Sequence, residues 1–147
     1  MIKAIHNYLD LVTGEPLPPE TRLAALACSL DALAHAFHDL PDASPGEADN
    51  EAEVLTTQEF EQAAAVRFPE LGLYSWIDPL AEIGSPGLAG DAIDDIADLA
   101  QNLAEGAWLW ENISPSEGAW HLRLLYFHWG HHLMGLRGYL HALSGPA

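Results

Sequence analysis

Apolar residues recur along the chain at the three- and four-residue spacing of helices that bury one side. Ile2, Ile5, Leu9 and Val12 predict a first helix over residues 2–12, stopped near Gly14 and Pro16. Pro18 and Pro19 stand where a second helix begins, since proline fits a first helical turn. Leu23, Leu26, Ala27, Leu30, Leu33, Ala34 and Phe37 stripe that helix, which stops before Pro41. Ala24, Ala25, Ala32 and Ala36 keep its other sides slim enough for a second close helix contact. Thr56 and Glu59 have the spacing of a capping box and open a third helix through about Arg67.

Between these helices, residues 41–53 hold no large apolar side chain and many acids and breakers, as in a mobile acidic surface loop. Residues 68–90 form an irregular Pro/Gly-rich segment. Its Tyr74, Trp76, Ile77 and Leu80 are apolar enough to be expected against the helices. A short strand here would lack an obvious partner.

A fourth helix is expected from about Asp91 to Trp110, with Ile93, Ile96, Leu99, Leu103 and Trp110 on one side. Asp91, Asp94, Asp95, Asp98, Asn102 and Glu105 share the other. A fifth opens with Ser114 as cap, Pro115 in the first turn and Glu117 three after the cap, and runs to about Leu143. The pattern as a whole predicts an all-α, single-domain bundle of about five helices over residues 1–147.

Composition narrows the partners. Twenty-two acidic residues face five basic ones, a formal net charge of −17. Such a surface repels nucleic acid and anionic membranes and suits a basic protein partner or cations. The N-terminus does not read as a signal peptide, and no apolar run is long enough to span a bilayer. Cys28 is the single cysteine and is expected in or near the core. A cytoplasmic location follows as the expectation.

At about 100° per residue, Glu117, His121, His128, His131 and His132 fall within roughly 100° of one another on the last helix. The rest of that helix is apolar nearly all round. A polar stripe on such a helix must meet water, polar partners or a ligand. His128 and His132, four apart, can direct ring nitrogens at one ion. Asp94, Asp95, Asp98 and Glu105 on the fourth helix are candidate carboxylates to complete the site. The set suits a divalent transition metal such as zinc, iron, manganese or nickel. The plain alternative is a solvated acidic face beside histidines that anchor by hydrogen bonds alone. His35 and His38, with Asp31, read as an exposed group on the second helix.

Phosphate loops, nucleophile elbows, HExxH and paired CxxC motifs are absent. The run Asp94, Asp95, Ala97, Asp98, Leu103, Glu105 and Gly106, then Trp120 and the motif His128, Trp129, Gly130, His131, His132, resembles the bacterial family called domain of unknown function 5063. Tyr74, Trp76, Asp78, Pro79 and Gly84 look like that family's aromatic and Asp-Pro stretch, so the resemblance covers about residues 74–143. It implies a small, helical, cytoplasmic bacterial protein with no assigned activity. It singles out His128, Trp129, Gly130 and His132 with Asp94, Asp95 and Asp98. Asn102 and Ala100 depart from it, standing where an acid and a tyrosine are expected.

Two functional expectations follow. One is a non-enzymatic binding or regulatory bundle, meeting a basic protein through its acidic surface or a second copy through residues 68–90. The other is a metal-binding helical-bundle enzyme that uses histidines of the last helix with aspartates of the helix before.

Overall fold

A computed structural model describes residues 1–46 and 49–145. Among them are six helices and two short strands: α1 (Ile2–Thr13), α2 (Pro19–Phe37), α3 (Thr57–Arg67), β1 (Leu73–Trp76), β2 (Leu88–Asp91), α4 (Ala92–Asn112), α5 (Pro115–Leu124) and α6 (Tyr126–Leu143). The protein is therefore predominantly helical, with one helix more than the periodicity suggests. The expected acidic loop lies in the irregular chain between α2 and α3, except residues 47 and 48, which lie outside the described residues.

The centre of the bundle is α4. Ala92, Ala97, Ala100, Ala104, Gly106 and Ala107 are buried beside Ile96, Leu99 and Leu103, which widens its buried side well beyond one apolar stripe. These small residues let α1, α3, α5 and α6 all pack against it. Full burial of a leucine or isoleucine stabilises by about 1.5–3 kcal/mol, so these three anchor the core. Tyr8 of α1 is fully buried, and its hydroxyl donates to the Ile96 carbonyl at 2.9 Å. Thr56 and Glu59 form the expected capping box at the start of α3.

The single long last helix breaks at Leu125. The last four carbonyls of α5 have no partner further along their own helix. One of them, at Leu122, accepts the Trp129 indole N–H at 2.8 Å. Trp129 is fully buried, and its ring meets Phe37 and Tyr126, which stack at 3.7 Å. Gly130 makes room, because a Cβ there would strike the Tyr126 ring at 2.7 Å. Arg123 donates to the Leu40 and Pro41 carbonyls and ties the break to the end of α2. Nothing local in the sequence forbids a continuous helix; a buried indole from the following turn stabilises the break.

Residues 73–91 form a hairpin. β1 pairs antiparallel with β2, Leu73 opposite Asp91, Tyr74 opposite Gly90 and Trp76 opposite Leu88. A strand does form in this segment, and the partner that the sequence does not make obvious is the glycine-containing Leu88–Asp91 run. The hairpin lies only in part against the helices. Tyr74 and Trp76 are half-buried, but Ile77 is exposed, as are Leu80 and Ile83 at 93% and 107%. Cys28 is likewise exposed, against the core placement expected of it, because it falls outside the Leu26, Leu30, Leu33 stripe of α2. His35 and His38 are exposed as expected, and Asp31 pairs with Arg137 of α6 at 2.7 Å. No described helix is long and apolar enough to cross a membrane.

Candidate metal centre

Helices α4 and α6 face each other where Asp95 and Asp98 meet His128 and His132. Spacings of three and four residues bring each pair onto one side of its helix. His132 Nδ1 lies 2.7 Å from Asp95 Oδ1. A carboxylate there accepts the Nδ1–H, which leaves the Nε2 lone pair free. That Nε2 stands 3.4 Å from His128 Nε2 and 3.4 Å from Asp98 Oδ2. One ligand atom from each of Asp98, His128 and His132 lies within 4.8 Å of the others.

These separations are compatible with ligation of a single ion. Ligands about 2.0–2.2 Å from an ion in tetrahedral geometry sit roughly 3.3–3.6 Å from one another. Both 3.4 Å distances fall inside that range. They are long for good hydrogen bonds. Asp95 holds His132 by a hydrogen bond, and beyond it two imidazole nitrogens and a carboxylate oxygen converge in an arrangement that could hold a metal ion.

Behind the first layer stands Tyr74. Its hydroxyl donates to Asp95 Oδ2 at 2.5 Å, making a line from Tyr74 through Asp95 to His132. The ring stacks on Tyr139 at 4.8 Å, and the glycines at 90 and 135 make its path. A Cβ at Gly90 would meet the Tyr74 ring at 2.5 Å, and one at Gly135 the hydroxyl at 2.6 Å. Asp95 is only 7% exposed, so it is not part of a solvated face. No helical periodicity ties Tyr74 to the site. Its signal was the glycine opposite it across the hairpin, legible only once the strand pairing is known.

The Asp95 hydrogen bond raises the His132 imidazole above its ordinary pKa, outweighing the burial that lowers it. Burial raises the Tyr74 hydroxyl far above the usual tyrosine range, with Asp95 adding to it. Asp94 is raised by burial and then by the charges of Asp98, Asp91 and Asp95. A cation among these carboxylates would relieve that repulsion. Asn102, where an acid was expected, donates to the Asp98 carbonyl at 2.8 Å and stands 3.4 Å from His128 Nδ1.

The rest of the polar stripe does not gather here: Glu117 and His121 lie on α5, before the break at Leu125, and His131 of α6 turns to a different neighbour. Glu117 lies against Gly46. His131 meets the Trp76 ring edge-on at 4.5 Å. His121 faces Glu105 at 3.3 Å, out of line for a full hydrogen bond. Glu105 therefore belongs to a separate pair, and the imidazole beside it holds its carboxyl below the usual range. A depressed folded pKa gives stability that is present above the unfolded pKa and lost as pH falls through the folded one. Urea midpoints measured from about pH 5 to 3 are expected to fall more steeply for wild type than for Glu105→Gln. Parallel curves would show that the pair contributes nothing.

No family model matches the chain, and no curated protein matches it significantly. Among solved structures it is similar to the crystal structure of protein BF1032 from Bacteroides fragilis. The two share 16% sequence identity with a TM-score of 0.78, over 99% of this chain and 90% of that one. At that identity the likeness is one of fold.

Proposed function

We infer that the protein binds one divalent transition-metal ion through Asp98, His128 and His132, with Asp95 and Tyr74 orienting His132. The observation that carries this reading is the pair of 3.4 Å separations from His132 Nε2. A carboxylate that holds the far nitrogen of a histidine ligand is the usual support of such sites, fixing tautomer and ring orientation. Two imidazoles and one carboxylate suit zinc, iron, manganese or nickel. Three protein ligands, with His128 exposed, leave a coordination position for water or substrate, as in catalytic rather than closed structural sites. Water on such an ion becomes a nucleophile near neutral pH, which is the chemistry the site would supply.

The resemblance to domain of unknown function 5063 fits this reading. The motif's outer histidines, His128 and His132, are the ligands. Its Trp129 and Gly130 hold the helix break that aims them.

Elemental analysis of protein purified without an affinity tag, followed by cobalt(II) titration, tests the reading. About one ion per chain is expected. Asp95→Asn keeps all three ligands and should weaken the metal about 10–100-fold, the usual cost of losing such a support. Wild-type protein that is metal-free as isolated and takes up no cobalt, nickel, zinc or manganese would sink the proposal. The protein-binding expectation has its own support, in the exposed hairpin.

A further inference from the structure

Between α1, α3, α4 and the chain that leads into α3 lies a cavity of about 530 Å³. Its inner end is apolar, formed by Leu9 of α1, Phe60 of α3, and Ala104 and Ala107 of α4. Phe60, Ala104 and Ala107 all belong to the buried core, so the hollow reaches between the helices rather than lying on their outer surface. The two alanines keep it open, because a methyl group fills little of the space that a leucine there would occupy. Val54 and Leu55, just before the α3 cap, wall one side.

The mouth is acidic. Glu53 and Glu111 are both exposed there. His6 Nε2 lies 2.5 Å from Glu111 Oε1, which holds that carboxylate in place and leaves Oε2 for a second donor. Trp108, half-buried, also lines the cavity, and an indole attracts cations better than any other aromatic ring. Among the described residues no lysine or arginine lines it. An apolar hollow of several hundred Å³ with a few polar groups at one end has the form of a small-molecule site. It is many times the roughly 30 Å³ that one water occupies, so a bare ion would leave it empty.

We propose that this cavity binds a small organic cation, a primary ammonium on a hydrocarbon body. The body lies against Leu9, Phe60, Ala104 and Ala107, and the ammonium donates to Glu111 at the mouth. There water completes its hydration, so the charge is not buried while the stem is. Charge decides the class of occupant. An anion would face two carboxylates on a chain of net charge −17, whereas a cation meets complementary charge at the one end where the cavity is polar. None of the lining residues is a proposed metal ligand, so the inference does not rest on the metal.

Isothermal titration calorimetry of the full chain with 4-phenylbutylamine, 4-phenylbutanol and 4-phenylbutyrate tests this. The titrations are run on protein as purified and again with chelator, which keeps the amine from meeting a bound ion. The amine is expected to bind about 10–100-fold more tightly than the alcohol, the worth of a hydrogen bond to a charged group, and the acid not at all. Glu111→Gln should bring the amine down to the level of the alcohol. Glu61→Gln, an equal loss of charge at an exposed position of α3, should change nothing. Ala104→Leu fills the cavity and should abolish binding of amine and alcohol alike. Should that variant fail to fold, Val54→Trp blocks the same space from outside the helices. An amine that binds no better than the alcohol, or that Glu111→Gln and Glu61→Gln weaken equally, would show attraction to the acidic surface only and overturn the proposal. So would the absence of binding by either probe at about 1 mM. A lysine-rich apolar peptide that binds where the amine does not, and is lost in Ala104→Leu, would overturn it in favour of a protein partner.

Discussion

Replacing His132 with alanine is expected to abolish stoichiometric metal binding. In the proposed site the imidazole supplies one of three ligands, and even loss of a supporting residue costs about 10–100-fold, so its removal should cost more than about 100-fold in affinity. His128→Ala should weaken the metal to a similar degree, because its Nε2 is the second nitrogen of the set. The two variants should part company in stability measured with chelator present. Removing His132 leaves the buried Asp95 carboxylate with the Tyr74 hydroxyl as its remaining side-chain partner. Stranding a buried polar group costs about 1–3 kcal/mol. His128 is exposed and bonded to no buried acid, so its removal should leave the chelated protein close to wild type. Cobalt titration and thermal melts in chelator read the two effects separately. If both variants keep a stoichiometric ion, the ligand assignment is wrong. If wild type binds none and only His132→Ala is destabilised, the histidine is a structural anchor.

Trp129→Ala is expected to be the most destabilising single substitution near the site. Truncating a fully buried tryptophan typically costs about 3–5 kcal/mol. The loss here also strands the Leu122 carbonyl and removes the ring that Phe37 and Tyr126 pack against. A drop in melting temperature on the order of 10 °C follows for a chain of this length. Trp129→Phe keeps much of the apolar surface and loses the N–H, so it should cost about 1–3 kcal/mol. Either change also loosens the joint between α5 and α6, and α6 carries both proposed histidine ligands. Metal affinity should therefore fall in Trp129→Phe although Trp129 touches no ligand. Urea unfolding would contradict the role given to the indole if Trp129→Ala lost under about 1 kcal/mol.

The helical elements were legible because their signals are local. The stripe of Ile2, Ile5, Leu9 and Val12, the prolines opening α2 and α5, and the Thr56–Glu59 capping box each act within a turn or two of chain. The pairing of the last helix with the aspartates of α4 was legible for the same reason. Histidines four apart and aspartates three apart share a helix side whatever surrounds them. What misled was continuity. An angle of about 100° per residue through Leu125 places Glu117, His121, His128, His131 and His132 on one stripe, but the break separates Glu117 and His121 from α6, and His131 meets Trp76 instead.

The sequence by itself determined most helix positions, the acidic composition and which residues share a side of one helix, because propensity, capping and periodicity need only near neighbours. Only the tertiary structure decided which polar residues meet. The helix break rests on an indole reaching the Leu122 carbonyl across seven residues. The place of Tyr74 behind Asp95 rests on glycines at 90 and 135, one across the hairpin and one on α6. The burial of Asp95 rests on the packing of three elements. Each is a contact between distant parts of the chain whose free energy depends on shape and desolvation, and periodicity within one helix carries no record of either.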